Sequence, residues 1–211
     1  IWITAEKNDI KSATYFWVGS EAEINGYRPS IYKFYKNGVD PIKKINEVVD
    51  WLQYPEEQQP KLITLYFNEP DHSGHVHGAE DFKTLFQVKY ADDLLGYLLS
   101  SIKDIGIENN INLIIVSDHG MVDVSIDRII NIDDIIDHDY NIYGKGPYVE
   151  LYDGSYFNIK NIYANFTIYN KHTLPNDFHF KTNNTGDYLL LADPGYLLYS
   201  NKNIDEGLTV N

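Results

Sequence analysis

One pattern occurs twice in this chain, and it limits the folds open to it. "LITLYFNEPDHSGH", from Leu62 to His75, is an apolar run that ends in acids and histidines. "INLIIVSDHGM", from Ile111 to Met121, repeats that shape and closes on glycine. Both runs are short and β-prone, so they read as buried strands, with Leu62–Phe67 the first and Ile111–Val116 the second. Between them, Asp81 to Ile105 has helical spacing, with Leu85, Phe86, Leu94, Leu95, Leu98, Leu99 and Ile102 on its inner face and Gly106 as its stop. Strand, helix, strand is a βαβ unit with a right-handed crossover. Its parallel strands end on one sheet edge, where ligand sites of open α/β sheets gather. Asp71 and Asp118 are therefore expected to be neighbours.

The class predicted is α/β, with a mostly parallel central sheet flanked by helices. Asp40 caps a helix beginning at Pro41, with Ile42, Ile45, Val48, Val49 and Leu52 at helical spacing. Pro55 and Pro60 bracket a loop, and Gly144 to Pro147 marks another. Tyr148 to Tyr199 holds several short strands. No repeat or linker divides the chain. At 211 residues it suits one domain or part of a larger one. Neither end carries a starting or closing feature, so 1–211 is expected to be a partial domain, truncated at both ends.

Composition removes several classes. The formal charge of −14 repels a polyanion such as DNA unless cations intervene, whereas a small phosphate ester remains compatible if metal ions supply positive charge. The absence of cysteine excludes disulfides and thiolate chemistry within the chain. No run of 18 apolar residues is present, and the first residues lack signal-peptide character. Asn165-Phe166-Thr167 and Asn183-Asn184-Thr185 permit glycosylation in a secreted protein.

Pro70 and Gly74 break helices, so Asp71 and His75 are expected on a loop. A carboxylate and an imidazole suit zinc and also accept manganese or iron. Asp118 and His119 are adjacent, and a sharp turn at Gly120 would aim both inward. Either motif alone is more economically a solvated loop or a capped turn. Two Asp-His pairs on one sheet edge point to two metals that clamp a phosphoryl group. His72 and His77 read as surface or supporting residues, Met121 as packing, and His138, His172 and His179 receive no role.

"EPDHSGH", a helix and "SDHGM", together with "YFWVGSEAEINGYRPSIYKFY" and "IWITA" upstream, resemble the nucleotide pyrophosphatase/phosphodiesterase family of the alkaline phosphatase superfamily, in its ectoenzyme and venom branch. The likeness runs from Ile1 to about Met121, with "LLLADPGYLL" as a late landmark. It implies an extracellular protein, secreted or an ectodomain, whose partner is a small nucleotide and whose cofactors are two zinc ions. Asp71 and His75 would hold one ion, Asp118 and His119 the other. Tyr35 would stack on the nucleobase, and Trp17 would line the same pocket. The family's threonine nucleophile and a further aspartate lie upstream of the segment matching Ile1, and another histidine lies downstream of the segment matching Leu197. Thr4 and Thr14 are not at the nucleophile's place.

The implied reaction is hydrolysis of phosphodiester or pyrophosphate bonds, as in ATP to AMP and pyrophosphate, through a nucleotidylated threonine outside this chain. Three other readings stay open: a phosphomonoesterase or sulfatase of the same superfamily, a phosphodiesterase for choline lipids, and a non-catalytic ectodomain that binds zinc and nucleotide.

Overall fold

The computed structural model describes residues 1–136, 141–152 and 165–201. They gather into two compact units, Ile1–His119 and Gly120–Asn211.

The first unit is built on a parallel three-stranded sheet. Strand β1 (Ser12–Tyr15) lies between β2 (Ile31–Lys33) and β3 (Leu62–Leu65). A short helix, α1 (Trp2–Glu6), leads into β1. The Glu6 carboxylate ties the two together by accepting the backbone N–H and hydroxyl of Ser12, both at 2.7 Å.

Helix α2 (Pro41–Leu52) forms as its sequence dictates. The Asp40 side chain accepts the Ile42 N–H at 2.9 Å, and Pro41 occupies the first helical position, where no donor is needed. One side of α2 places Val48 and Trp51 against Ala13 and Tyr15 of β1. Ile45 and Val49 meet Leu94, Leu98 and Ile102 of helix α4 (Phe82–Asp104). A fully buried Ile45 contributes roughly 1.5–3 kcal/mol. Helix α4 ends at Gly106, whose φ of 72° only glycine adopts without strain. The Gly106 N–H donates to the Lys103 carbonyl at 2.9 Å and the Ile107 N–H to the Ile102 carbonyl at 3.4 Å, so two terminal carbonyls are satisfied.

Two expectations fail here. Ile111–Val116 pairs with no strand among the described residues, and Ile114, Ile115 and Val116 are 80%, 67% and 64% exposed. The parallel neighbour of β3 is β1, so the proposed crossover is not formed. A β-branched run measures fit to a partner surface and does not itself create that partner. On α4, Leu94, Leu98 and Ile102 face inward as expected, whereas Leu85, Phe86 and Leu99 are exposed.

In the second unit, β5 (Asn141–Tyr143), β6 (Tyr148–Tyr152), β8 (Tyr188–Ala192) and β7 (Phe166–Asn170) make an antiparallel sheet in that spatial order. Strands β4 (Ile129–Asn131) and β9 (Leu197–Tyr199) pair in parallel. Ile132, Ile135, Val149, Leu151, Leu190 and Leu198 form the fully buried centre. The Gly144–Pro147 loop is present, with left-handed turns at Gly144 and Gly146. Asn183 is exposed and Asn165 half-buried. His172 and His179 are exposed, and His138 lies outside the described residues.

Candidate active site

The edge reached by β3 carries the chemistry. Beyond Leu65, the Tyr66 N–H still donates to the Tyr15 carbonyl at 3.0 Å. The chain then turns through Asn68–Pro70 into α3 (Asp71–His77). This element was expected to be a loop; it is a short helix. Pro70 sits at its N-cap, where the missing N–H costs nothing, and Glu69 reaches forward to accept the Ser73 N–H at 3.1 Å. Gly74, inside the helix, is buried against its surroundings. Helical spacing puts Asp71 and His75 on one face, with His75 Nε2 3.4 Å from Asp71 Oδ1.

Asp118 and His119 follow on a turn. The Ser117 hydroxyl donates to the His119 carbonyl at 2.5 Å, and the His119 N–H to Asp118 Oδ1 at 3.2 Å. His119 Nε2 lies 3.7 Å from Asp118 Oδ2 and equally far from Asp71 Oδ1. All four expected ligands are thus brought together, and Asp71 Oδ1 stands between two imidazoles.

That oxygen is the unusual atom. It is buried and accepts no hydrogen bond, although the side chain as a whole is 43% exposed. An ionised oxygen in such a place needs a cation or a donor. Tetrahedral zinc, with oxygen and nitrogen donors at roughly 2.0–2.2 Å, keeps its donors roughly 3.3–3.5 Å apart. The Asp71–His75 spacing meets that value, and the two spacings to His119 exceed it slightly. Among the described residues no three such side chains already close on one point. The donor chemistry fits a metal, with the side chains offered as pairs.

A cavity of about 260 Å³ opens beside these groups, lined by Tyr35, Asn37, Tyr66, Asn68, Asp71, His72 and His75. Tyr35 lies at its wall and is 52% exposed, with its ring edge-on to Phe16 at 5.3 Å. Phe16 itself is buried at a φ of 62°, an uncommon conformation for a bulky residue. Trp17 is half-buried and is not among the lining residues. His72 lines the cavity, and His77 is exposed beyond it. Tyr66, Asn37 and Asn68 were not singled out from sequence. Asn68 stood just beyond the expected strand, whereas Tyr66 lay inside it and offered no signal; in the structure the strand ends at Leu65. Burial, then the Asp118, Asp71 and Tyr35 side chains, push the Tyr66 phenol pKa up. It is accordingly a protonated hydrogen-bond donor at neutral pH.

Residues 1–210 match the model of a family described as "Type I phosphodiesterase / nucleotide pyrophosphatase". Ectonucleotide pyrophosphatase/phosphodiesterase family member 1 of Rattus norvegicus is 34% identical over 218 residues, covering 95% of this chain and 24% of the relative. A venom phosphodiesterase of Macrovipera lebetinus is 33% identical over 219 residues, covering 96% and 26%. Murine ectonucleotide pyrophosphatase/phosphodiesterase 5 superposes with a TM-score of 0.77 at 26% identity, covering 95% of this chain and 56% of that one. An inactive variant of the same protein, in complex with AMP, gives a TM-score of 0.76. The chain therefore spans about half of the solved relatives and about a quarter of the longer enzymes.

Proposed function

Since the chain belongs to the type I phosphodiesterase / nucleotide pyrophosphatase family, we propose that its parent protein hydrolyses nucleotide phosphodiester and pyrophosphate bonds, with ATP to AMP and pyrophosphate as the model reaction. The observation that carries this reading is the buried Asp71 Oδ1, which accepts no hydrogen bond and stands between the His75 and His119 imidazoles at the wall of a cleft that also holds Tyr35. The murine relative in complex with AMP supports a nucleotide occupant. The relatives named as ectoenzymes and venom enzymes support an extracellular setting. No helix among the described residues is long and apolar enough to cross a membrane.

In this reading Asp71 and His75 hold one zinc ion, and Asp118 and His119 the other. Bound there, the metal pair supplies Lewis-acid charge for the attacking and departing oxygens. Tyr35 offers a ring face for the base, a contact that tolerates any base because each has a π-face. The protonated Tyr66 phenol and the Asn37 and Asn68 amides give neutral donors to sugar and phosphate oxygens without adding positive charge. The nucleophile is a threonine outside this chain.

The test uses the full-length protein with ATP and resolved products, repeated with a chelator and with Asp118→Asn. AMP and pyrophosphate, lost in both controls, support the reading. ADP and phosphate would move it to the monoesterase branch, and bound zinc without turnover would make the protein a binding module.

A further inference from the structure

Lys44 is out of place in a hydrophobic seam. It lies on the face of α2 that also buries Ile45 and Val48, and it is only 3% exposed. Among the described residues no carboxylate pairs with it. Its ammonium donates to the Tyr66 carbonyl at 2.8 Å and stands 4.5 Å from the centre of the Phe67 ring. The Phe16 ring is 5.7 Å away.

Tyr66 is where the sheet lets go of β3. The β1–β3 ladder runs to the Tyr15–Leu65 pair, and the Tyr66 N–H makes one more bond to β1. The Tyr66 carbonyl has a side chain as its partner, and that side chain comes from α2. Successive side chains of an extended segment point to opposite sides. Here Phe67 enters the seam between α2 and α4, while Tyr66 lines the cleft with Asp71. The carbonyl between these two rings is held on α2 at the point where the chain leaves the sheet. The next residues deliver Asn68 and Asp71, and the Asn68 carbonyl accepts the His72 N–H at 3.2 Å. The Tyr66 N–H is thus anchored on β1 and its carbonyl on Lys44, at the point from which the cleft wall is laid down.

We propose that Lys44 is a positioning residue for the phosphodiester cleft, acting through the Tyr66 carbonyl to fix Tyr66, Asn68 and Asp71 in register. The proposal rests on the hydrolase reading above. Burial alone would favour an apolar residue of similar length at this site, since burial pushes the Lys44 pKa down to about 8. A purely structural role would therefore be better served by methionine, and a positioning role would not.

The experiment compares Lys44→Met and Lys44→Arg with wild type in the full-length protein. It reads kcat and KM for ATP, the thermal midpoint, and hydrogen–deuterium exchange across Tyr66–His75. The expected result for Met is a loss of about tenfold or more in kcat, because displacement of a site by about 1 Å can cost on the order of a hundredfold. KM should change less. Exchange should rise across Tyr66–His75 with no fall in thermal midpoint, and Arg should restore kcat to within about threefold. Unchanged kcat and exchange in the Met variant would overturn the proposal. So would losses that follow a lowered midpoint and are not rescued by Arg. A wild type without turnover counts against the hydrolase reading alone, and the exchange comparison then decides Lys44. Should the Met variant not fold, Lys44→Leu, which likewise removes the donor, takes its place with the same expectations.

Discussion

Replacing Lys44 by methionine should stabilise the protein at neutral pH, and the gain should fade as the solution becomes alkaline. The ordinary lysine pKa is 10.5, and burial lowers it to about 8 in the folded chain. At pH 7 that difference is a cost of about 3 kcal/mol for keeping the ammonium charged inside the fold. Methionine removes the cost but leaves the Tyr66 carbonyl without its donor, a loss of about 1–3 kcal/mol. The net gain is at most about 2 kcal/mol, or up to roughly 4–8 °C in midpoint for a unit of 150–250 residues. The sign with pH follows from proton counting. Between pH 8 and 10.5 the unfolded lysine binds more protons than the folded one, so wild-type stability from this group rises with pH. By pH 9.5 only about 1 kcal/mol of the cost remains, which cancels the advantage of methionine. Thermal or urea unfolding of both proteins at pH 7 and 9.5 checks this. A Met variant clearly less stable at pH 7, or a difference that does not narrow by pH 9.5, would refute the reasoning.

Three further outcomes are expected. Tyr35→Ala should weaken AMP binding by roughly 1–3 kcal/mol in calorimetry, since the base would lose the ring proposed to stack on it, and should leave bound zinc unchanged. Asp71→Asn should lose bound zinc by metal analysis; wild type should gain about 2.7 kcal/mol of stability at a hundredfold excess of zinc over its Kd, and the variant should gain little. Glu6 reports on acid pH: burial pushes its pKa up, but hydrogen bonds from Ser12 and Ser30 outweigh that and hold it below the usual carboxylate range. Its contribution is present above the ordinary carboxyl value of 4.5 and is lost as pH falls through the lower folded value, so Glu6→Gln should flatten the acid limb of a stability profile.

What the sequence made legible was local chemistry with short reach. The Asp40–Pro41 start of α2 and the Gly106 end of α4 are each specified by one or two side chains, and both appear as read. The assembly of Asp71, His75, Asp118 and His119 was legible too, although the reason offered for it was incomplete. Those four meet without a ladder at Ile111–Val116, a run whose β-branched composition promised one. Whether such a run pairs depends on a neighbour that its own residues do not encode. The turn after Pro70 misled in the opposite sense. Proline and glycine weigh against a helix on average, but Pro70 falls at the cap and Gly74 is buried within the helix. Lys44 and Tyr66 gave no signal at all, because a lysine in a helix reads as solvent-facing until its surroundings are known.

The cleft wall also has an uneven origin along the chain. Of its seven residues, five (Tyr66, Asn68, Asp71, His72 and His75) fall within ten consecutive positions, and the other two, Tyr35 and Asn37, sit two apart. Most of what touches an occupant is therefore written in one short passage that begins where the sheet ends. Substitutions at Asn68 or His72 can alter what the cleft accepts without disturbing the strand before it or the long helix after it. A deletion before Asp71 would shift it against His119, and one between Asp71 and His75 would turn those two off their shared helix face. Such a passage leaves room for change at Asn68 and His72 but none at Asp71 or His75, and little in its length.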